Sequence, residues 1–252
     1  MRILPFILSL LFLVCCRKEN TVKEISKQAP FCYTDQEQLR LNLDKLGNLR
    51  PDRNDPYPPP RGNYSCIYID FDGETVVNPY WNKGEPFYCE PSGLTIDQQK
   101  DVLARVRNYF YPFRVYVTDT LSYYQEANRN KKMRVIVTPT SNWQPVVGGI
   151  SLYDSFIWGN ETPAFVFSDR LLFSPHFVAD LVSHESGHTL NLAHQSLWSE
   201  LCSLSEPLTP GVIMGNSLSV SQGEWTYGPT SYGCTIYQDD SLMIKNKLGL
   251  RL

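Results

Sequence analysis

The sequence predicts an α+β domain in which helices pack on a β-sheet. Three observations support this fold class. Five short runs rich in β-branched and aromatic residues have the pattern of strands,. Two longer segments carry apolar residues at helical spacing. Hydrophobic residues make up 42% of the 252-residue chain, which is enough to bury a core,. The net charge of -3 and the lack of a basic stripe argue against a nucleic-acid partner,.

Residues 1–16 are predicted to be a signal peptide with a lipobox. Arg2 precedes the apolar run 3–14, which is too short to span a bilayer but suits the core of a signal sequence,. The run ends in Cys15 and Cys16, and this resembles the lipobox of bacterial lipoproteins. Either cysteine is a candidate for lipidation, and a plain secretory signal is the alternative. Both interpretations predict export, to the bacterial cell envelope as a lipoprotein or as a secreted protein, with membrane contact only through a lipid anchor.

Residues 17–62 are predicted to be a tether that precedes a domain over 63–252. Within the tether, "TDQEQLRLNLDKLG" indicates a short helix, because Thr34 and Glu37 form a capping-box pattern and three leucines share one face,. The segment "NDPYPPPRGN" is typical of a stiff, proline-rich linker,.

The domain is predicted to begin with a strand in "CIYIDFDG",. A helix follows in "TIDQQKDVLARVRNYFYPF", which opens with the cap pattern of Thr95 and Gln98,. Four further strands are predicted in "RVYVTD", "MRVIVTP", "GGISLYDSF" and "PAFVFSD". A second helix then begins after Ser174, a good N-cap, with Pro175 at its first position,.

Three of the four histidines lie in "LVSHESGHTLNLAH" on this second helix. His184 and His188 are four residues apart, so both imidazoles project from one face and can reach one ion, with Glu185 beside it. The alternative is a helix whose histidines are satisfied by hydrogen bonds in the core. His194 favours the metal site, provided that the helix breaks and the chain turns back. Asn191 is the predicted break, because asparagine tolerates the left-handed conformation.

This motif, followed by a methionine turn, resembles the signature of metzincin zinc peptidases. Asn191 stands at the glycine position of the motif, and "GVIMGNS" resembles the Met-turn, with Met214 beneath the metal. Further segments between about residues 64 and 245 are similar to exported bacterial metzincin-like peptidases. The resemblance implies a zincin fold, with a mixed twisted sheet, an active-site helix and a smaller C-terminal part below the cleft.

The resemblance further implies an endopeptidase with one catalytic Zn²⁺ bound by His184, His188 and His194. Glu185 would be the general base that takes a proton from the attacking water. Two alternatives are a zinc-containing surface protein that binds without catalysis and a zinc hydrolase acting on non-peptide amides. The substrate is expected to be a protein or peptide lying extended along an edge strand near 163–169.

Metzincins often carry a tyrosine two residues after the methionine, and here that position is Asn216. Tyr227 or Tyr232 is a candidate to take its place. Cys202 and Cys234 bracket the methionine turn, so a disulfide between them is a further hypothesis.

Several other side chains of metal-binding type are weaker candidates as ligands. Asp70 with Asp72, and Asp239 with Asp240, are possible calcium ligands, although turns and caps are the more common duty of such residues. Glu200 or Glu206 is a weaker alternative to His194 as third ligand, and His176 is expected at the surface.

Overall fold

The computed structural model describes residues 39, 62–144, 146–160 and 162–251. The predicted signal peptide and almost all of the predicted tether therefore lie outside the described residues. Leu39, from the predicted tether helix, is helical and buried in the main hydrophobic core. Among the described residues, no helix is long and apolar enough to cross a membrane.

The predicted α+β class is correct. The described residues contain a mixed five-stranded sheet, three two-stranded sheets and four α-helices. The strands are β1 (Ser65–Asp70), β2 (Glu74–Val76), β3 (Phe87–Cys89), β4 (Val115–Thr118), β5 (Lys132–Thr138), β6 (Gly149–Ile150), β7 (Ala164–Phe167), β8 (Leu197–Trp198), β9 (Leu204–Glu206), β10 (Tyr227–Thr230) and β11 (Gly233–Asp239). The helices are α1 (Ile96–Phe110), α2 (Leu121–Glu126), α3 (Pro175–Thr189) and α4 (Asp240–Leu248).

The main sheet has the strand order β4-β1-β5-β7-β6. Strands β4, β1, β5 and β7 are parallel, and β6 pairs antiparallel with β7. Helix α1 begins at the predicted cap, where Thr95 accepts a hydrogen bond from the backbone of Gln98, whose side chain accepts one from Thr95 in return. Helix α3 begins after Ser174, whose hydroxyl accepts from the backbone of Phe177. Both helix starts were predicted from these capping residues.

Successive residues of each strand point to opposite faces of the sheet. Both faces are buried, each in its own hydrophobic cluster. Helices α1 and α3 cover one face. The strand residues that meet them are Ile67, Ile69, Val115, Val117, Met133, Val135, Val137, Ala164 and Val166. The other face packs Ile136, Phe165 and Phe167 against Trp81 near the β2–β3 hairpin. Helix α3 is thus packed against one face of the sheet.

The prediction that residues 163–169 form the edge strand is wrong. Strand β7 lies between β5 and β6, and all four of its residues are buried, as expected of an interior strand,. The antiparallel edge strand is β6, whose Gly149 pairs with Val166. The sequence pattern did not reveal this order, because only two residues of "GGISLYDSF" pair as a strand.

The C-terminal part is built from two antiparallel hairpins, β8–β9 and β10–β11, followed by α4. Cys202 and Cys234 form a disulfide that joins the turn of the first hairpin to the start of β11. This is the pairing put forward as a hypothesis from the sequence. The remaining described cysteines, Cys66 and Cys89, are buried free thiols.

Candidate metal centre

Helix α3 carries the first two histidines of the motif into the interior. His184 and His188 are 3% and 0% exposed, so neither imidazole is a surface group. Their ring centroids are 4.6 Å apart, as expected for residues one helical turn apart on the same face,. Every residue from His176 to Thr189 is buried, so the helix is enclosed on all sides.

The chain reverses after α3 in a Schellman motif centred on Asn191. Asn191 has a φ of 77°, in the left-handed region that the sequence predicted for it. Its backbone N–H donates to the carbonyl of His188, and the N–H of Leu192 donates to the carbonyl of Gly187,. The side chain of Leu192 is fully buried, which holds the reversed segment against the helix. This turn brings His194 back towards α3.

The three histidines converge on one point. The Nε2 atom of His194 lies 3.0 Å from Nε2 of His184 and 3.1 Å from Nε2 of His188. Three nitrogens that share a tetrahedral ion at about 2.0–2.1 Å would be separated by roughly 3.3 Å, close to what is found. Within the described part of the chain, no other group of three or more His, Cys, Asp or Glu side chains is arranged to hold a metal ion.

Backbone carbonyl groups set the orientation of two of these rings. The Nδ1 atom of His184 hydrogen-bonds to the carbonyl of Ile213, and Nδ1 of His188 to the carbonyl of Leu192 at 2.7 Å. Because each Nδ1–H is the donor in these bonds, each Nε2 keeps its lone pair and directs it to the point of convergence. Lone pairs at this distance repel one another, and a bound cation would turn that repulsion into attraction. The donor set therefore fits a metal ion.

Burial keeps the imidazoles neutral, which is the form that binds metals. Burial lowers the pKa of His184 to about 4. Burial, together with the neighbouring histidines, also moves the pKa of His188 and of His194 well below the usual value. All three side chains are therefore neutral at neutral pH and able to bind a metal ion.

Met214 lies in a tight turn directly beneath α3. Its side chain is fully buried, and a Cβ atom added to Gly187 would lie 2.4 Å from its sulfur. The carbonyl of Met214 accepts a hydrogen bond from the N–H of Gln195, next to His194, and the preceding carbonyl is the partner of His184. The turn thus supports both the helix and the returning segment.

Glu185 follows His184 on α3, and its carboxylate is held in place by a hydrogen bond. It is 1% exposed, and its Oε2 atom accepts a hydrogen bond from the hydroxyl of Ser151 at 2.6 Å. Burial raises the pKa of Glu185 to about 8, and the hydrogen bond from Ser151 works against that rise. Strand β6 passes directly over the carboxylate, because a Cβ atom on Gly149 would lie 2.6 Å from Oε1 of Glu185.

Two tyrosines lie on one side of the centre, one against a histidine and one against the first tyrosine. The ring of Tyr153, shortly after β6, meets the ring of His188 edge-on at 5.2 Å. The hydroxyl of Tyr232, in the β10–β11 turn, donates to that of Tyr153 at 3.5 Å. Tyr227 instead stacks on Tyr237 on the hairpin. Asn216 has its backbone N–H and carbonyl bonded to Thr209 and Gly211 around the methionine turn.

Ser151 and Tyr153 were not predicted as site residues, because no motif singles them out. One signal was present for Ser151. Two consecutive glycines precede it, and glycine inside a strand often marks a close approach of another group, here the carboxylate of Glu185,.

The aspartates considered as calcium ligands make other interactions. Asp70 is buried and forms an ion pair with Arg134, and it also accepts a hydrogen bond from the backbone of Asp72. Asp239 caps α4 by accepting from the backbone of Leu242. Asp240 is fully buried and accepts hydrogen bonds from two glutamine side chains.

The remaining candidates lie away from the cluster. Glu200 and Glu206 are exposed and take no part in it. His176 was expected at the surface, but it is only 8% exposed. Its Nε2 atom bonds to the carbonyl of Val220, and Nδ1 contacts the guanidinium of Arg105, so this side chain joins α3 to the loop after the methionine turn.

No protein-family model matches the chain, and no curated protein matches it. The protein is therefore classified by its fold and by the geometry of its site. It is an α+β protein with a mixed sheet and a buried cluster of three histidines that can hold a metal ion, and it is loosely compatible with a zincin.

Proposed function

We propose that this chain is a zinc-dependent endopeptidase of the metzincin type. The observation that carries the proposal is the placement of Glu185. Glu185 follows His184 on α3, and its buried carboxylate is held by the hydroxyl of Ser151 beneath the edge strand of the sheet. A protein that only stored or bound a metal would have no need of a buried, oriented carboxylate at that position.

The proposed roles follow from the chemistry of each side chain. His184, His188 and His194 would hold the ion as neutral imidazoles. A bound Zn²⁺ supplies the Lewis acidity that activates a water molecule and polarises a carbonyl group. Glu185 accepts the proton of the attacking water and passes it to the leaving amine. Burial raises the pKa of Glu185 above its usual value, so its carboxylate is a stronger base than an exposed one,.

The proposed substrate is an extended peptide. Strand β6 is the last strand of the sheet on this side, and it passes directly over Glu185. A peptide that pairs with the outer edge of β6 would place a backbone carbonyl near the cluster, with affinity supplied by main-chain hydrogen bonds. Tyr232 is proposed to donate a hydrogen bond to the developing oxyanion, because its hydroxyl reaches the tyrosine that contacts His188,.

Two other functions compete with this one. The first is a surface protein that keeps the metal but does not catalyse, and the second is a hydrolase of non-peptide amides. Incubation of the zinc-loaded protein with casein and with a peptide library, with and without a chelator, separates the peptidase from the other two. The proposal predicts chelator-sensitive cleavage of internal peptide bonds. Absence of cleavage with one zinc bound per chain would contradict the peptidase and favour one of the other two functions.

Export as a lipoprotein is proposed from the sequence of residues 1–16. Mass spectrometry of the protein from membranes should find an acylated cysteine at position 15 or 16 as the mature N-terminus. A soluble mature chain with a free amine would contradict the lipid anchor.

A further inference from the structure

His194 differs from the other two histidines in its support. His184 and His188 belong to a buried helix, whereas His194 lies on an irregular segment after the reversal at Asn191. An irregular segment has no helical hydrogen bonds of its own, so its position depends on external contacts. The residues that supply those contacts control where the third imidazole lies.

One side chain bonds to both backbone groups of the residue before His194. The Oε1 atom of Gln238 accepts from the N–H of Ala193 at 2.8 Å, and its Nε2 atom donates to the carbonyl of Ala193 at 3.0 Å. The amide of Gln238 therefore pairs with the N–H and carbonyl of Ala193 as the backbone of a neighbouring β-strand would. A side-chain amide carries a donor and an acceptor in one planar group, which suits both bonds.

A buried carboxylate holds that amide in place. The Oδ1 atom of Asp240 accepts from Nε2 of Gln238 at 2.7 Å and from Nε2 of Gln195 at 2.9 Å. Gln238 and Asp240 are 6% and 0% exposed, so water competes little for these bonds. Gln195, which follows His194, therefore bonds directly to the Asp240 carboxylate. Ala193, which precedes His194, is linked to the same carboxylate through Gln238.

We propose that Gln238, oriented by Asp240, is a positioning residue that sets the affinity of the three-histidine cluster for its metal. The inference rests on the metal-binding part of the proposed function and is independent of the proposed peptidase activity. The amide of Gln238 holds the backbone of Ala193 and thereby fixes the position of the next residue, His194. Removal of a residue that orients a metal ligand commonly lowers metal affinity by about 10–100-fold.

The test compares two substitutions in the full chain. Gln238→Met keeps the length of the side chain but removes both hydrogen bonds to Ala193. Asn78→Ala is the matched control, because Asn78 is also a buried amide, 7% exposed, with partners at Thr162 and Tyr80. Both substitutions remove a satisfied buried amide and should lower stability. Only Gln238 contacts the segment that carries His194.

Zinc affinity is measured by competition with a chromophoric chelator, and site geometry by the visible absorption spectrum of the Co²⁺-substituted protein. Gln238→Met should weaken zinc binding by roughly 10–100-fold and alter the Co²⁺ spectrum. Asn78→Ala should retain the parent affinity and spectrum. Parent affinity in Gln238→Met, or an equal loss in both variants, would overturn the inference. A parent protein that binds no zinc would instead overturn the proposed function, and the inference with it.

A measurement on the unaltered protein covers the case in which Gln238→Met fails to fold. The backbone N–H of Ala193 should exchange slowly with deuterated solvent, because its acceptor is a buried side chain,. Rapid exchange of this amide in the folded protein would show that the contact with Gln238 does not hold the segment, and would overturn the inference.

Discussion

The hydroxyl of Ser151 donates a 2.6 Å hydrogen bond to the carboxylate of Glu185, and both side chains are buried. Ser151 follows the edge strand, whereas Glu185 belongs to the helix that carries two of the histidines. The bond therefore joins the edge of the sheet to the proposed general base. It also stabilises the charged form of a carboxylate whose pKa is raised by burial,.

Ser151→Ala is expected to slow peptide cleavage without loss of zinc. Since the hydrogen bond lowers the pKa of Glu185, its removal should raise that pKa further and move the acidic limb of the profile of kcat/KM against pH to higher pH,. A hydrogen bond to a charged group contributes about 1.5–3 kcal/mol, so kcat/KM at neutral pH should fall by roughly 10- to 100-fold.

Ser183→Ala is the control for this prediction. Ser183 is buried on the same helix, but its hydroxyl donates to the carbonyl of Ala179 within the helix. It should leave the pH profile in place. A profile that does not move in Ser151→Ala would show that Ser151 does not act on the group that limits cleavage.

Tyr232→Phe is expected to lower kcat and to leave zinc affinity unchanged. The substitution removes only the hydroxyl that reaches Tyr153, and loss of one oxyanion donor typically costs about 10²–10³ in kcat,. Tyr227→Phe is the matched control, because that ring is 69% exposed and stacks on Tyr237. Equal rates in both variants would remove Tyr232 from the proposed mechanism.

Substitutions at Asn191 test the reversal that brings His194 to the cluster. Asn191→Gly should keep zinc affinity, because glycine adopts the φ of 77° without strain,. Asn191→Val should strain the turn by about 1–3 kcal/mol and so weaken zinc binding by roughly 5- to 150-fold. The side chain is exposed, so lost packing does not complicate the comparison. Chelator competition that gives one affinity for all three proteins would contradict this account of the turn.

The Cys202–Cys234 disulfide is expected to stabilise the C-terminal part. With a sequence separation of 32, the bridge closes a loop whose restriction in the unfolded chain is worth about 3–4 kcal/mol,. The double variant Cys202→Ser/Cys234→Ser should lose about that free energy of unfolding in urea. Reductant should lower the stability of the parent and leave the double variant unchanged. Equal stability of parent and variant would show that the bridge adds nothing.

Local signals were the part of this structure that the sequence could predict. Thr95 and Ser174 cap the two long helices because their side chains satisfy nearby backbone groups, and Asn191 takes the left-handed conformation at the reversal. Each of these effects depends on residues within one or two helical turns, so a pattern in the sequence reports it.

Apart from the Cys202–Cys234 pairing, the non-local contacts that shape the site were not predicted. The strand expected at the edge of the sheet is interior because the short segment Gly149–Ile150 pairs outside it. Ser151 meets Glu185 across 34 positions of the chain, and Gln238 meets Ala193 across 45. Such contacts depend on the register and packing of distant elements, which no spacing within one motif encodes.

Metal binding and catalysis are separable in this account, and two substitutions separate them. His188→Ala should lose both zinc and cleavage, because two remaining histidines hold the ion poorly. Metal analysis of the purified variant checks this, and one zinc per chain in His188→Ala would contradict the ligand assignment.

The most direct test is the rate of peptide cleavage by zinc-loaded Glu185→Gln. Glutamine keeps the size of the side chain and can accept the hydrogen bond from Ser151, but it cannot take a proton from water,. The account predicts one zinc per chain, an unchanged fold, and a cleavage rate lower by roughly 10²–10⁴-fold. Cleavage by zinc-loaded Glu185→Gln at the parent rate would contradict the assignment of Glu185 as general base, and with it the proposed mechanism.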